Sequence, residues 1–297
     1  MTESQFLADR FEENRDHLRA VAYRMLGSLP EADDAVQEAW LRLSRTGAGN
    51  IENLGGWLTT VVARVCLDML RARTARREDD LPNALSDQLP AQPARRRAAP
   101  NPEQEVLLAD SVGLALMVVL DRLAPAERLA FVLHDMFDLS FDEIASIIGR
   151  SPAATRQLAS RARRRVRGGP TPRSAISEQR RVVDKFLAAL RAGDFQALIS
   201  VLDPDVVVQA DATAATPGLP GEVRGGEAWA RRAITAAQGA KAASIALING
   251  EVGIIVAPRG RLFRALRFTF ANGRITGIKV VGDQAALATL DLSLLND

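Results

Sequence analysis

Hydrophobic positions recur at helical spacing in the first part of the chain and alternate with polar positions in the last part. In residues 1–77 and again in 103–168, apolar side chains return about every three to four positions, as in amphipathic helices. After residue 177 one amphipathic helix precedes short runs rich in Val, Ile and Phe, and an Asn-Gly pair at 272–273 separates two of these runs. The pattern predicts two all-α domains followed by an α+β domain.

Two stretches without periodicity set the predicted boundaries. Residues 78–102 carry five prolines, which is typical of a mobile linker, and residues 169–176 form a second break. Within the first domain, the Gly- and Asn-rich residues 46–56 predict a loop, and a third helix is expected over 57–77. The predicted organisation is therefore a helical domain at 1–77, a linker at 78–102, a helical domain at 103–168 and an α+β domain at 177–297.

The second helical domain contains the signals of a helix-turn-helix. Ser140 followed by Glu143 forms a capping box, which predicts the start of a short helix. Gly149 suits the left-handed position that ends this helix, and Ser151 with Pro152 suits the start of another. Two helices joined by about three residues have the geometry with which many proteins enter the DNA major groove.

The second of these helices separates an apolar stripe from a basic one. Its predicted inward stripe consists of Ala154, Leu158, Ala162 and Val166. Early polar residues of such a helix contact base edges and later arginines contact phosphates. We therefore predict base contact for Arg156, Gln157 and Ser160, and phosphate contact for Arg163, Arg164 and Arg167. The alternative for each arginine is a solvated helix end that balances the helix dipole.

Composition excludes several other classes of protein. Hydrophobic residues make up 47% and charged residues 25% of the 297 residues, as in globular proteins. With Cys66 as the single cysteine and His17 and His134 as the two histidines, we expect no disulfide framework, no metal site and no cofactor. No apolar run is long enough to span a membrane and no signal-peptide pattern opens the chain, so we expect a cytoplasmic protein without membrane contact.

Charge is distributed unevenly although the net charge is only +2. Residues 151–169 contain six arginines and no acidic residue, whereas residues 30–40 are acidic. One basic and one acidic surface predict two different partners.

The order of these segments resembles a known family. The run "EADDAVQEAWLRL", then "GGWLTTVVARVCLDMLRARTARR", a linker and the helix-turn-helix resemble the extracytoplasmic-function (ECF) sigma factors of bacterial RNA polymerase over about residues 6–168. The last domain resembles the SnoaL-like, NTF2-type extension of some members, a cone-shaped α+β fold. The resemblance implies promoter-specific transcription initiation with core RNA polymerase and promoter DNA as partners, and no enzymatic activity.

The resemblance also assigns roles to residues of the first domain. The surface that docks on the polymerase clamp helices would contain Asp33, Asp34, Gln37, Glu38 and Leu41, together with Trp40. The loop and the third helix would hold and melt the promoter element near the start site through Asn50, Asn53, Arg64 and Arg71.

The last domain leaves alternatives open because its fold hosts both enzymes and regulators. We expect it to regulate the sigma factor in cis, with the C-terminal segment "QAALATLDLSLL" as a docking element, and the sequence requires no dedicated anti-sigma factor. One alternative is a helix-turn-helix regulator whose last domain senses a small ligand of unknown identity. The other is a cyclase or isomerase fused to a DNA-binding module, for which Asp211 is the candidate acid–base residue. We expect Trp229 to pack in the core rather than bind ligand.

Overall fold

The computed structural model describes residues 3–46, 51, 53–80, 111–168, 173–215, 221–235 and 237–295. The α-helices are α1 (Glu3–Leu26), α2 (Leu29–Thr46), α3 (Leu54–Asp80), α4 (Ser111–Asp121), α5 (Pro125–Phe131), α6 (Phe141–Ile148), α7 (Pro152–Arg167), α8 (Arg173–Ala192), α9 (Phe195–Val201), α10 (Gly226–Thr235) and α11 (Gln284–Thr289). The strands are β1 (Leu202–Ala210), β2 (Glu222–Arg224), β3 (Ala243–Ile248), β4 (Glu251–Val256), β5 (Arg264–Ala271), β6 (Arg274–Val281) and β7 (Leu292–Ser293). A π-helical turn, called the π-turn below, covers Val132–Met136, and 3-10 helices cover Ala237–Ala242 and Pro258–Gly260.

The described residues divide into two compact units. Helices α1–α3 and residues 123–163 form the first unit, and residues 111–122 and 164–295 form the second. The predicted fold classes, all-α followed by α+β, are confirmed, because the first unit is helical and the second combines helices with a sheet. The predicted domain at 103–168 contributes to both units, with its first helix, α4, in the second.

Helices α1, α2 and α3 bury the apolar faces that the sequence predicts. Leu18, Met25 and Leu43 are fully enclosed, and burial raises the pKa of the Cys66 thiol to about 12, which keeps the thiol protonated and unreactive at neutral pH. Helix α3 starts earlier and ends later than the predicted 57–77, so residues 54–56, predicted as loop, are helical. Of the linker predicted at 78–102, residues 78–80 are helical, and the rest lies outside the described residues.

Within the first unit, Arg128 of α5 is enclosed against α1 and α3, and it is 2% exposed. Its Nε and Nη2 donate to the carbonyl of Arg24 at 3.3 Å and 3.1 Å. That carbonyl belongs to the last turn of α1, where helices lack internal donors and the dipole is negative. A buried cation thus stabilises the end of α1.

The second unit is built on one seven-stranded sheet in the order β2-β1-β6-β5-β4-β3-β7. Its pairs are antiparallel except β1 with β6. Helix α8 lies against one face, where Val183 and Phe186 pack with Phe268. Asn272 and Gly273 both have positive φ, at 50° and 72°, which confirms the Asn-Gly hairpin predicted between β5 and β6.

The second unit differs from prediction at the start of α8. This helix begins at Arg173, so residues 173–176, predicted as part of a break, are helical. Residues 169–172 lie outside the described ranges.

Helix α4 is part of the second unit because it is apolar on nearly every side. Met117, Val118 and Leu120 are buried where α4 packs on β3 and β7. A helix that is apolar all round needs partners on several faces. The sheet supplies one of them.

Across the ranges that the structure describes, no helix combines the length and hydropathy needed to cross a membrane.

Candidate functional site

The helix-turn-helix forms through the local signals predicted from the sequence. Ser140 Oγ accepts from Glu143 N at 3.3 Å, and the Glu143 carboxylate accepts from Ser140 N at 2.9 Å. The capping box is thereby confirmed. Hydrogen bonds from the Ser140 hydroxyl and then from its backbone N–H lower the pKa of Glu143 below its ordinary value. Gly149 is left-handed at φ 73°, as predicted, so α6 ends in a tight turn.

Helix α7 then starts with a second cap and buries the predicted stripe. Ser151 Oγ accepts from Ala154 N at 3.2 Å, and Pro152 is the first helical residue. Burial is confirmed for Leu158, Ala162 and Val166, whereas Ala154 is only half-buried. The structure also buries Thr155 and Ala159, which broadens the stripe beyond the prediction.

The residues predicted to contact DNA lie on the outer face of α7. Its exposed members are Arg156, Gln157, Ser160, Arg164 and Arg167. Arg163 is less exposed because its Nε donates to Asp135 at 2.5 Å. A phosphate contact by Arg163 must therefore share the guanidinium with a carboxylate, which the sequence analysis did not anticipate. The face is suited to an anionic, grooved ligand.

Helix α3 uses some of the predicted contact residues for its own structure. Asn53 Oδ1 accepts from Gly56 N at 3.0 Å and so caps the helix. Arg64 is exposed but its Nη2 donates to the carbonyl of Ser146 in α6 at 3.3 Å. Arg71 is exposed and lies 3.8 Å from Asp68. Asn50 lies outside the described residues.

Helix α2 presents the predicted acidic face to solvent. Within this face Asp33 pairs with Arg19 at 2.7 Å, and Glu38 pairs with Arg42 at 2.9 Å. Asp34 and Gln37 are exposed. Leu41 is 39% exposed, which is unusual for a large apolar side chain. The face combines balanced charge with apolar surface.

A groove of about 360 Å³ lies beside this face, between α1 and α2. Trp40 and Phe11 pack in it with ring centroids 5.1 Å apart, and Asp33 and Gln37 line its edge. An aromatic floor with a polar rim is typical of protein-binding surfaces.

The carboxylate of Asp211 has a structural role in the second unit. It accepts from the backbone N–H groups of Gly282 at 2.7 Å, Asp283 at 3.0 Å, Ala214 at 2.7 Å and Thr213 at 3.1 Å. Desolvation raises the pKa of Asp211, but these four donors outweigh it and lower the pKa. A carboxylate with a lowered pKa is a weak general base at neutral pH, so the geometry does not favour the enzyme alternative.

Trp229 is half-buried and packs against the core of the same unit. Its ring stacks on Phe186 with centroids 5.5 Å apart, as expected for a core residue.

The sequence did not reveal the roles of four residues that the structure shows in specific long-range contacts. They are Arg122, Arg128, Asp135 and Phe141. Each acts through a partner beyond its own helical turn, which the spacing of apolar residues does not reveal.

Comparison with known proteins matches both helical regions to family models. Residues 10–76 match Sigma-70 region 2, and residues 113–166 match Sigma-70 region 4. The ECF RNA polymerase sigma factor SigJ of Mycobacterium tuberculosis is 40% identical over 259 residues, which cover 83% of this chain and 80% of that protein.

Solved structures give two further similarities. The crystal structure of the M. tuberculosis extracytoplasmic function sigma factor SigJ is 33% identical over 94% of this chain and 97% of that chain, with a TM-score of 0.44. An NTF2-like protein of unknown function from Cytophaga hutchinsonii is 18% identical over 37% of this chain and 93% of that chain, with a TM-score of 0.27.

Proposed function

The chain belongs to the ECF sigma factors of RNA polymerase, and we propose how its surfaces divide the work of promoter-specific initiation. The acidic face of α2 and the groove beside it dock on core polymerase. The outer face of α7 binds the upstream promoter element. Helix α3 and the residues before it hold and melt the promoter element near the start site. The protein acts in the cytoplasm, where RNA polymerase meets promoter DNA.

The observation that carries this proposal is the outer face of α7. Arg156, Gln157 and Ser160 project from its first turns, directly after a capped tight turn, as base-reading residues do. Arg164 and Arg167 follow on the later turns, where phosphate contacts fix the register of a helix in the groove.

We further propose that the C-terminal domain regulates the sigma factor in cis. The region 4 match includes α4, whose apolar face is buried on β3 and β7. Arg122, directly after α4, donates to the carbonyls of Leu287 at 2.6 Å and Leu290 at 2.5 Å. In addition, Leu294 N donates to the carbonyl of Val166 at 2.8 Å. The C-terminal segment thus contacts both ends of region 4, which supports its role as a docking element.

A domain tethered in the same chain acts at high effective concentration, so modest contacts suffice for control. The C-terminal domain would then supply the regulation that a separate anti-sigma factor otherwise supplies.

The test is run-off transcription with core polymerase and three forms of the chain: full length, residues 1–168, and full length with Arg122→Met. We expect promoter-specific transcripts from full length, and a change of output in the same direction from both altered forms. The Arg122→Met variant is needed because truncation removes the sheet and exposes the apolar face of α4, which could itself change the output. Arg122→Met removes the contact with the C-terminal segment and leaves the sheet in place. Equal output from all three forms contradicts regulation in cis, and no promoter-specific transcript from any form contradicts the sigma assignment.

A further inference from the structure

Arg156, predicted to contact a base, lies against an aromatic ring. Its guanidinium carbon is 5.5 Å from the centroid of the Phe141 ring. Phe141 is the first residue of α6, so the contact joins the start of one helix to the start of the next. A cation–π contact restrains an arginine side chain without using its five N–H donors, which stay available for a base.

The Phe141 ring is itself held by a second ring. His134 lies with its centroid 3.9 Å from that of Phe141, at an interplanar angle of 32°. Nδ1 of His134 is 2.9 Å from the carbonyl of Leu139, and because a carbonyl only accepts, this nitrogen carries the proton and donates. Phe141 thus contacts both His134 and Arg156, and we call these three residues the arginine cluster.

The π-turn places the arginine cluster next to a second arginine contact. His134 and Asp135 are consecutive residues of the π-turn, and Asp135 accepts from Arg163. Arg156 and Arg163 are seven residues apart, which places them on the same face of α7 and about 10.5 Å apart along its axis. One short irregular turn therefore orients two arginines of the outer face, and π-turns of this kind are frequent at functional sites.

We propose that Phe141 and His134 are positioning residues for base readout, acting through Arg156. An arginine that is ordered before binding loses less side-chain entropy when it meets a base pair, and this raises discrimination between sequences. Ordering does not change the charge of the face, so affinity for unrelated DNA stays the same. The inference rests on the proposed function of α7.

The experiment is selection of promoters from a duplex pool randomised upstream of the start site, using the full chain bound to core polymerase. Arg156→Ala identifies the base pairs that depend on Arg156, with an expected loss of at least about fivefold in preference there. Phe141→Leu keeps an apolar side chain but removes the ring, and we expect a loss of about two- to fivefold at the same base pairs. Phe141→Tyr should restore the preference. His134→Asn, which keeps a donor for Leu139, should give a smaller loss at the same positions.

Phe137→Leu is the matched control, because Phe137 is a half-buried ring of the same segment that packs edge-on against His17 of α1. It should leave the selected motif unchanged. Affinity for an unrelated duplex is measured for the Phe141, His134 and Phe137 variants and should stay at the level of the unaltered chain, because none of them removes an arginine from the outer face.

Two results overturn the inference while leaving the function of α7 intact. One is an unaltered motif with Phe141→Leu and His134→Asn when Arg156→Ala relaxes it. The other is an equal loss for promoter and unrelated DNA, which would mean that the ring only supports the fold. If Arg156→Ala itself changes no base preference, the base-reading assignment fails and the inference fails with it.

Discussion

The acidic face of α2 and the basic face of α7 are both solvent-facing sides of amphipathic helices, but they hold their charges differently. On α2, Asp33 and Glu38 are paired with arginines of the same unit. On α7, Arg156 lies over an aromatic ring, and Arg164 is exposed at the end of an acid-free helix. Balanced charge favours recognition by shape and short-range packing, whereas a basic face attracts DNA over a distance and is sensitive to salt.

The largest predicted effect is on affinity for core polymerase, and it comes from a change at Leu41, the exposed apolar residue of the α2 face. Leu41→Asp places a further carboxylate on a surface that must be desolvated, so affinity for core polymerase should fall by about tenfold or more. The measurement is titration of labelled protein with purified core polymerase. Leu41→Met keeps the apolar contact and should bind as the unaltered chain does. Undiminished binding by Leu41→Asp would break the assignment of α2.

The second prediction concerns the charge of α7. Arg164→Ala should weaken binding to promoter and to unrelated duplex equally, because a phosphate contact carries no sequence information. The slope of log affinity against log salt should become shallower by about 0.9. The readout is a salt series of holoenzyme–DNA binding. Selective loss of promoter binding would instead make Arg164 a base-reading residue.

Asp135→Asn removes a negative charge near α7, whereas Arg164→Ala removes a positive one. The Asp135→Asn change removes the carboxylate beside Arg163 and should raise affinity for both duplexes. A fall in affinity would show that Asp135 is needed to hold Arg163 in place.

The smallest effect concerns the turn that presents α7. The pKa of Glu143 is lowered in the folded state, so its charge stabilises the helix-turn-helix above the ordinary glutamate pKa, and this contribution is lost as pH falls through the lowered value. Because Glu143 is exposed and solvent screens its charge, Glu143→Gln should destabilise α6 by no more than about 1 kcal/mol at neutral pH. The difference between variant and unaltered chain should shrink in acid.

Hydrogen exchange of the α6 amides, corrected for intrinsic rates at each pH, measures this difference. A difference that grows as the solution is acidified would show that the sign is wrong.

The helix-turn-helix could be predicted because its signals are local. The capping box at Ser140 and the left-handed Gly149 each depend on residues within one turn, and both appear in the structure as predicted. The Asn-Gly hairpin was predictable for the same reason.

The rest depends on distant partners that periodicity does not reveal. Arg128 is charged yet fully enclosed, because the carbonyl that it caps lies in α1, far away in the chain. Asp135 meets Arg163 only because a π-turn rotates it toward α7. The apolar composition of α4 indicates that the helix must be covered on several sides, but the sequence does not say that the sheet of the second unit covers it.

The most direct test of the two-surface account is one selection experiment. Core polymerase with the full chain initiates on a duplex pool randomised upstream, in parallel with a variant that carries alanine at Arg156, Gln157 and Ser160. We predict a defined upstream motif with the unaltered chain, and loss of that motif with the variant although the variant still binds polymerase. Recovery of the same motif with the variant would contradict the claim that the outer face of α7 reads the promoter.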